Sequence, residues 1–241
     1  MEKLTGGEAA VKSLLAHNVK TLFCIPGVQN DWFFNALYDL GDDIRVVHTR
    51  HEQGAAYMAL GYAQATGDVG ICSIVPGPGL LNASAALATA YALNSKVFCL
   101  TGQIPSHTIG KELGVLHEIN NQLDILKSLT KYADRANCAN DIPRMIAEGY
   151  RQMNSGMPRP VALEIPMDIL EAKGMVEFPK VMPENFQPPL DTEQVKQAAE
   201  LLGKAKKPMI FVGSGAQGVS PEITELAEKL QAPVIGYRTG K

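Results

Sequence analysis

The sequence predicts an α/β fold: a doubly wound, mainly parallel six-stranded sheet with helices on both faces, followed by a truncated second α/β unit. Three observations predict it. Short, continuous apolar runs alternate with helix-length segments, the pattern of parallel strands covered on both faces. Sharp turns end two of these runs, Ile25-Pro26-Gly27 and Pro76-Gly77-Pro78-Gly79, as breakers should. The chain has 241 residues, is 46% hydrophobic and carries a formal charge of −3, an ordinary globular composition with room for one or two domains.

The elements follow in order. Residues 7–17 carry helical periodicity, and residues 21–25 form a short apolar strand. An aromatic-rich helix covers 31–40 and a strand covers 44–48. A helix of small residues spans 51–65 and stops at Thr66-Gly67-Asp68. Residues 69–75 are a continuous apolar strand, 80–93 a helix of Ala, Leu and Ser, and 96–100 another strand. Residues 101–120 break the pattern, and irregular segments of that length inside compact domains are usually functional. Order returns with a helix over 121–128, a strand over 131–135, a helix over 142–153 and a strand over 160–165. That gives six strands in a first domain covering 1–172.

Residues 173–190 read as an extended linker, because Pro179, Pro183, Pro188 and Pro189 crowd it. Residues 191–241 then begin a second α/β unit, with helices over 192–205 and 221–230 and strands over 208–213 and 233–237. Two strands do not support a stable sheet covered on both faces. The chain is therefore expected to be the N-terminal part of a longer protein.

Composition narrows the function. The slight acidity gives no reason to expect nucleic acid or an anionic membrane as a partner. The longest apolar stretch, residues 83–93, contains Ser, Thr and Tyr and is too short to span a bilayer. The N-terminus has no basic-then-apolar leader. Cys24, Cys72, Cys99 and Cys138 fit no metal-ligand spacing. They read as reduced thiols, which places the chain in the cytoplasm. No metal site is expected on this chain.

Glu52 is the leading candidate for chemistry. It opens a helix in His51-Glu52-Gln53-Gly54-Ala55-Ala56-Tyr57, just after the strand at 44–48. A carboxylate in a first turn complements the helix dipole. Here three strand ends also converge, and ligands bind at such points in open α/β sheets. Pro76-Gly77-Pro78-Gly79 reads either as a tight turn or as a phosphate-binding turn, without the Lys-Ser/Thr of a P-loop. Asn82 lies in the next helical turn, as a local hydrogen-bonder or a ligand contact. His17 and His48 look structural, and His51 adjoins Glu52 in a packing or orienting role. His107 and His117 lie in the irregular segment, either solvated or poised for proton transfer.

These residues resemble a known family. Thr49-Arg50-His51-Glu52-Gln53-Gly54-Ala55-Ala56 with Gly61-Tyr62-Ala63 is similar to the glutamate helix of thiamine-diphosphate-dependent enzymes. Ile25-Pro26-Gly27, Pro76-Gly77-Pro78-Gly79 with Asn82, Leu100-Thr101-Gly102-Gln103-Ile104-Pro105 and Val161-Ala162-Leu163-Glu164-Ile165-Pro166-Met167-Asp168 follow in the family's order. The resemblance covers almost the whole chain and is nearest to the acetolactate synthase-like group. It implies a pyrimidine-binding N-terminal domain and the start of a central domain, in a carboligase or decarboxylase acting on 2-oxo acids. Glu52 would hydrogen-bond N1′ of the cofactor's aminopyrimidine and favour its imino tautomer. Ile25, Pro26, Pro78 and Asn82 would line the pyrimidine pocket, and Val28, Gln29 and Gln103 the substrate pocket. The resemblance places the diphosphate and Mg²⁺ site on a C-terminal domain, whose Gly-Asp-Gly motif this sequence lacks. Some members bind FAD in the central domain. It also implies a homodimer or homotetramer, since sites in the family are completed by a second chain.

One departure stands out. Many relatives carry a glutamine near the thiazolium, and here the best match, Leu116-His117-Glu118, puts histidine in its place. That separates the chain from strict acetolactate synthases and makes His117 a second catalytic candidate. Two other readings remain: a subunit of a split 2-oxo acid decarboxylase, and a non-catalytic α/β binding protein that keeps the fold.

Overall fold

A capping box starts the first helix. The Thr5 hydroxyl accepts from Glu8 N at 3.1 Å, and the Glu8 carboxylate accepts from Thr5 N at 2.7 Å. Two orphan N–H groups at the helix start are thereby satisfied. In this computed structural model, which describes residues 1–181 and 189–237, strand β1 (Glu2–Thr5) leads into helix α1 (Gly6–Ala16) and strand β2 (Thr21–Cys24). Next come α2 (Asp31–Asp39), β3 (Arg45–His48), α3 (Glu52–Thr66), β4 (Gly70–Ile74), α4 (Pro78–Ala92) and β5 (Val97–Gln103). They are followed by α5 (Gln122–Leu129), β6 (Tyr132–Arg135), α6 (Asp141–Asn154), β7 (Val161–Pro166), α7 (Met167–Glu171) and β8 (Lys173–Val176).

Six of these strands form one sheet in the order β3-β2-β4-β5-β7-β6, and every neighbouring pair is parallel. The fold is the expected doubly wound α/β sheet. Its central strands are buried along their full length, as a parallel sheet covered on both faces requires. One face is covered by α1, α2 and α6, through residues such as Leu14, Phe33, Leu37, Met145 and Ile146. The other is covered by α3, α4 and α5, through Ala55, Ala59, Ala83, Ala86, Leu87 and Leu126.

From β2 the chain winds outward to β3, then returns to β4 on the opposite side of β2. The strand order therefore reverses between β2 and β4. The carboxyl ends of those two strands flank the crevice where such folds take ligands.

The linker expectation needs correction at its start. Lys173–Val176, assigned to the linker by proline content nearby, pair antiparallel with β1, Glu2 facing Val176 and Thr5 facing Lys173. Val176 is buried beside Leu4, Ala9 and Ala139. The prolines begin only at Pro179, so nothing forbids a strand before it. Residues 183 and 188, two of the four linker prolines, lie outside the described residues, as do residues 239–241.

The chain divides into units Met1–Gln187 and Pro188–Lys241. The second contains α8 (Thr192–Lys204), β9 (Ile210–Val212), α9 (Ser220–Leu230) and β10 (Val234–Gly236). Its two strands are parallel, with Ile210 opposite Val234, so β9, α9 and β10 make one βαβ unit. Asp191 caps α8, its carboxylate accepting from Glu193 N and Gln194 N. Leu201, Phe211 and Ile235 of this unit are exposed.

Candidate functional site

Glu52 is the first residue of α3. Its neighbour His51 is the N-cap, with Nδ1 accepting from Gln53 N at 3.2 Å. His51 therefore shapes the start of the helix. The Glu52 carboxylate lies at the positive end of α3, half-buried at the crevice. Its Oε2 accepts from Asn82 Nδ2 at 2.9 Å. Thirty residues separate the two in sequence, and the close packing of α3 on α4 joins them.

The start of α4 is built to approach Glu52. Pro78 occupies its first turn, where a missing N–H costs nothing. A Cβ on Gly79 would lie 3.5 Å from Glu52 Oε1 and 2.6 Å from a Val75 methyl. Only a residue without a side chain leaves that space beside the carboxylate. Gly77 has φ +58 and ψ −116, a conformation essentially reserved for glycine. A Cβ there would also collide with the carbonyl oxygen of His117.

The contacts of the turn favour one of its two readings. Gly77 N–H donates to Gln122 Oε1 at 2.7 Å, Gly79 N–H to Pro76 O at 3.2 Å and Leu81 N–H to Gly77 O at 3.0 Å. Three of the N–H donors a phosphate would use are engaged within the protein, as in a tight structural turn.

His117 has a left-handed backbone, φ +70, which is uncommon for a residue with a side chain and worth attention at a crevice. Its Nδ1 lies 3.1 Å from Gln29 Oε1, and Gln29 Nε2 donates to Leu116 O at 3.1 Å. The Gln29 amide can accept at only one end here, which gives His117 the tautomer with a proton on Nδ1. Nε2 is then the ring's acceptor. Gln29 and His117 are thus one unit, although 88 positions apart.

The remaining expected residues divide. Ile25 is half-buried and Pro26 exposed, both directly beyond β2, with Ile25 N–H reaching Ser73 O at 3.3 Å. Val28 is exposed. Gln103 is buried, and its Oε1 accepts from Ile104 N at 2.7 Å. That engagement ties Gln103 to its own strand end. His107 is exposed and meets none of these residues through the hydrogen bonds described above. Burial pushes the Cys24 thiol, at the end of β2, up to about 12, so a thiolate has no part at this strand end. Among the described residues, no group of three or more His, Cys, Asp or Glu side chains is arranged to hold a metal ion.

Sequence reading missed three buried polar residues under the site. Gln122 is 1% exposed, and Nε2 donates to Gly102 O at 3.0 Å and to Glu164 Oε2 at 2.9 Å. Glu164, fully buried, also pairs with Arg135. Asn30 Nδ2 donates to Ile74 O at 2.7 Å, tying the segment after β2 to the end of β4. Only Glu164 carried a signal. A charge inside the apolar run Val161-Ala162-Leu163-Glu164-Ile165 must find a partner.

A separate cavity of about 310 Å³ opens at the other end of the strands, between His17, Lys20, Tyr62, Asp68, Lys96 and Tyr150. It contains none of the residues above.

The comparison with known proteins falls on this same arrangement. Residues 4–127 match the thiamine pyrophosphate enzyme N-terminal TPP binding domain, and residues 195–241 match the central domain of the same enzymes. The chain belongs to the thiamine pyrophosphate enzyme family. It is 35% identical to a probable 2-ketoarginine decarboxylase of Pseudomonas aeruginosa over 99% of its length, covering 42% of that protein. It is 34% identical to a probable acetolactate synthase large subunit of Methanocaldococcus jannaschii, covering 99% of this chain and 41% of the relative. It is also 34% identical to the acetolactate synthase isozyme 3 large subunit of Escherichia coli, covering 98% and 42%. The chain thus spans about two fifths of the length of the curated relatives it matches.

The crevice fits the pyrimidine half of this family's cofactor. It combines a carboxylate, an adjacent side-chain amide and a glycine whose missing Cβ leaves room beside that carboxylate. No helix among the described residues is long and apolar enough to cross a membrane.

Proposed function

We propose that the chain is the N-terminal portion of a thiamine-diphosphate-dependent carboligase or decarboxylase acting on 2-oxo acids. The observation that carries this is the Glu52–Asn82 pair at the switch point of the sheet, within a sequence of this family. The bound cofactor would supply the electron sink for cleaving the bond next to a carbonyl. Glu52 would accept a hydrogen bond from the protonated N1′ of the aminopyrimidine, and so select the tautomer able to take up a proton. Asn82 holds Glu52 Oε2, leaving Oε1 as the oxygen for that contact. Ile25, Pro26 and Pro78 would flank the ring. Val28, Gln29 and Gln103 would border the substrate, with His117 Nε2 placed to hold or pass a proton.

Contacts to the diphosphate, through Mg²⁺, belong in this proposal to residues outside the chain, and any FAD would sit in the central domain, as it does in some members of the family. The active species is at least a homodimer in the cytoplasm. Tyr57, Met58 and Leu81, exposed on α3 and α4 near Glu52, support a self-association surface at the site. The 241-residue chain alone should then be inactive.

His117 in place of glutamine supports a substrate other than that of an acetolactate synthase. The test is incubation of the full-length protein with thiamine diphosphate, Mg²⁺ and a panel of 2-oxo acids. CO₂ release or ligation from at least one is expected. No cofactor-dependent turnover of any would sink the proposal.

A further inference from the structure

Gln122 stands in the middle of a polar chain that crosses the carboxyl ends of three strands. At one end Arg135, at the end of β6, pairs with Glu164 of β7. Glu164 Oε2 accepts from Gln122 Nε2 at 2.9 Å, and the second Nε2 proton goes to Gly102 O of β5 at 3.0 Å. Gln122 Oε1 then accepts from Gly77 N–H at 2.7 Å. Each functional atom of this buried amide is used, and the opposite amide orientation would set Nε2 against an N–H and Oε1 against two oxygens. The network therefore fixes its own geometry.

What it fixes matters. Gly77 begins the turn that delivers Gly79 and Asn82 to Glu52. Its backbone dihedrals are open to glycine alone, and glycine is also the least constrained residue. A turn of this kind needs an outside restraint to hold one geometry. The Gln122 amide provides it from within the core, while the His117 carbonyl presses on Gly77 from the other side.

We propose that Gln122, oriented by the Glu164–Arg135 ion pair, is a positioning residue. It holds the Gly77 turn so that Asn82 keeps the Glu52 carboxylate aimed at the cofactor ring. The last clause rests on the function proposed above; the coupling of Gln122 to Gly77 does not.

Two variants separate a positioning role from a packing role. Gln122→Met keeps the volume and removes the hydrogen bonds. Gln122→Glu keeps an acceptor atom but sets a carboxylate against Glu164 and Gly102 O, a repulsion that should draw the side chain away from Gly77 and lower its protection. Hydrogen exchange of the 241-residue chain, read residue by residue by NMR, should show the Gly77 amide opening about tenfold faster in Gln122→Met, as expected for one lost buried hydrogen bond. The Cys72 amide, in the centre of β4, should change far less. Adding Glu164→Gln to Gln122→Glu restores a donor opposite an acceptor, and should restore Gly77 protection relative to Gln122→Glu alone. In the full-length protein, Gln122→Met should lower kcat more than it raises the KM for substrate. Unchanged Gly77 exchange in Gln122→Met, or no recovery in the double variant, would overturn the coupling while leaving the proposed function intact. Faster Gly77 exchange with an unchanged kcat would overturn the positioning role. Were no full-length turnover found, the proposed function would fall and the exchange results alone would decide the coupling.

Discussion

The two faces of the six-stranded sheet bury apolar surface with different residues. Against α1, α2 and α6 the core is mostly large side chains, such as Leu14, Phe33, Phe98, Met145, Ile146 and Met153. Against α3 and α4 alanines outnumber large residues, Ala55, Ala56, Ala59, Ala83, Ala86 and Ala90 beside Leu60, Leu80 and Leu87. Large side chains bury more area and stabilise more. Small ones let helix backbones come close. The second face is where the candidate site lies, because α3 and α4 must bring Glu52 and Asn82 within hydrogen-bond reach at their first turns. One face is thus suited to stability and the other to precision. Bulk on the first can be lost without touching the site, whereas bulk added to the second moves it.

Substitutions on each face sharpen the contrast. Ile146→Ala should cost about 2–5 kcal/mol of stability through transfer and cavity terms, measured by denaturant unfolding. The folded fraction of the full-length variant should turn over at the wild-type rate. Ala86→Leu, on the opposite face, should cost less, about 1–3 kcal/mol by overpacking. It should nonetheless lower turnover, because spreading α3 from α4 lengthens the Asn82–Glu52 contact. Equal effects of the two changes on turnover would break the contrast. The smallest expected effect is that of His117→Gln, which should leave stability and cofactor affinity nearly unchanged. It should move the pH–rate profile or the product ratio, since a glutamine amide can donate to Gln29 but cannot take up and release a proton as the imidazole Nε2 can. If neither moves, His117 is a loop residue with no part in the chemistry.

Much of this was legible in the sequence. All six strands of the main sheet were expected where they lie, β2, β4 and β5 from apolar runs, and Glu52 followed from its place at a helix start beside two strand-end turns. The antiparallel pair β1–β8 was not legible, because four-residue strands at opposite ends of a domain carry no periodicity of their own. Lys173–Val176 looked like linker only because prolines follow it. The site's supports were hidden for another reason. Gln122 and Asn30 act through buried amides whose partners lie 45 and 44 positions away. No local pattern marks a polar residue whose partner is supplied by the fold. Glu164 alone broke an apolar run visibly, and its meaning depended on Arg135 from the next strand of the sheet.

The most direct test of the account is Glu52→Gln in the full-length protein, assayed with saturating thiamine diphosphate and Mg²⁺. Glutamine preserves the size of the side chain and its place at the start of α3. It can still meet Asn82 and the cofactor ring, but it cannot accept a proton. Cofactor-dependent turnover should fall by roughly 10²–10⁴-fold with the unfolding midpoint nearly unchanged. Turnover close to the wild-type rate would contradict the account, because the carboxylate would then be only a favourable charge at the start of a helix.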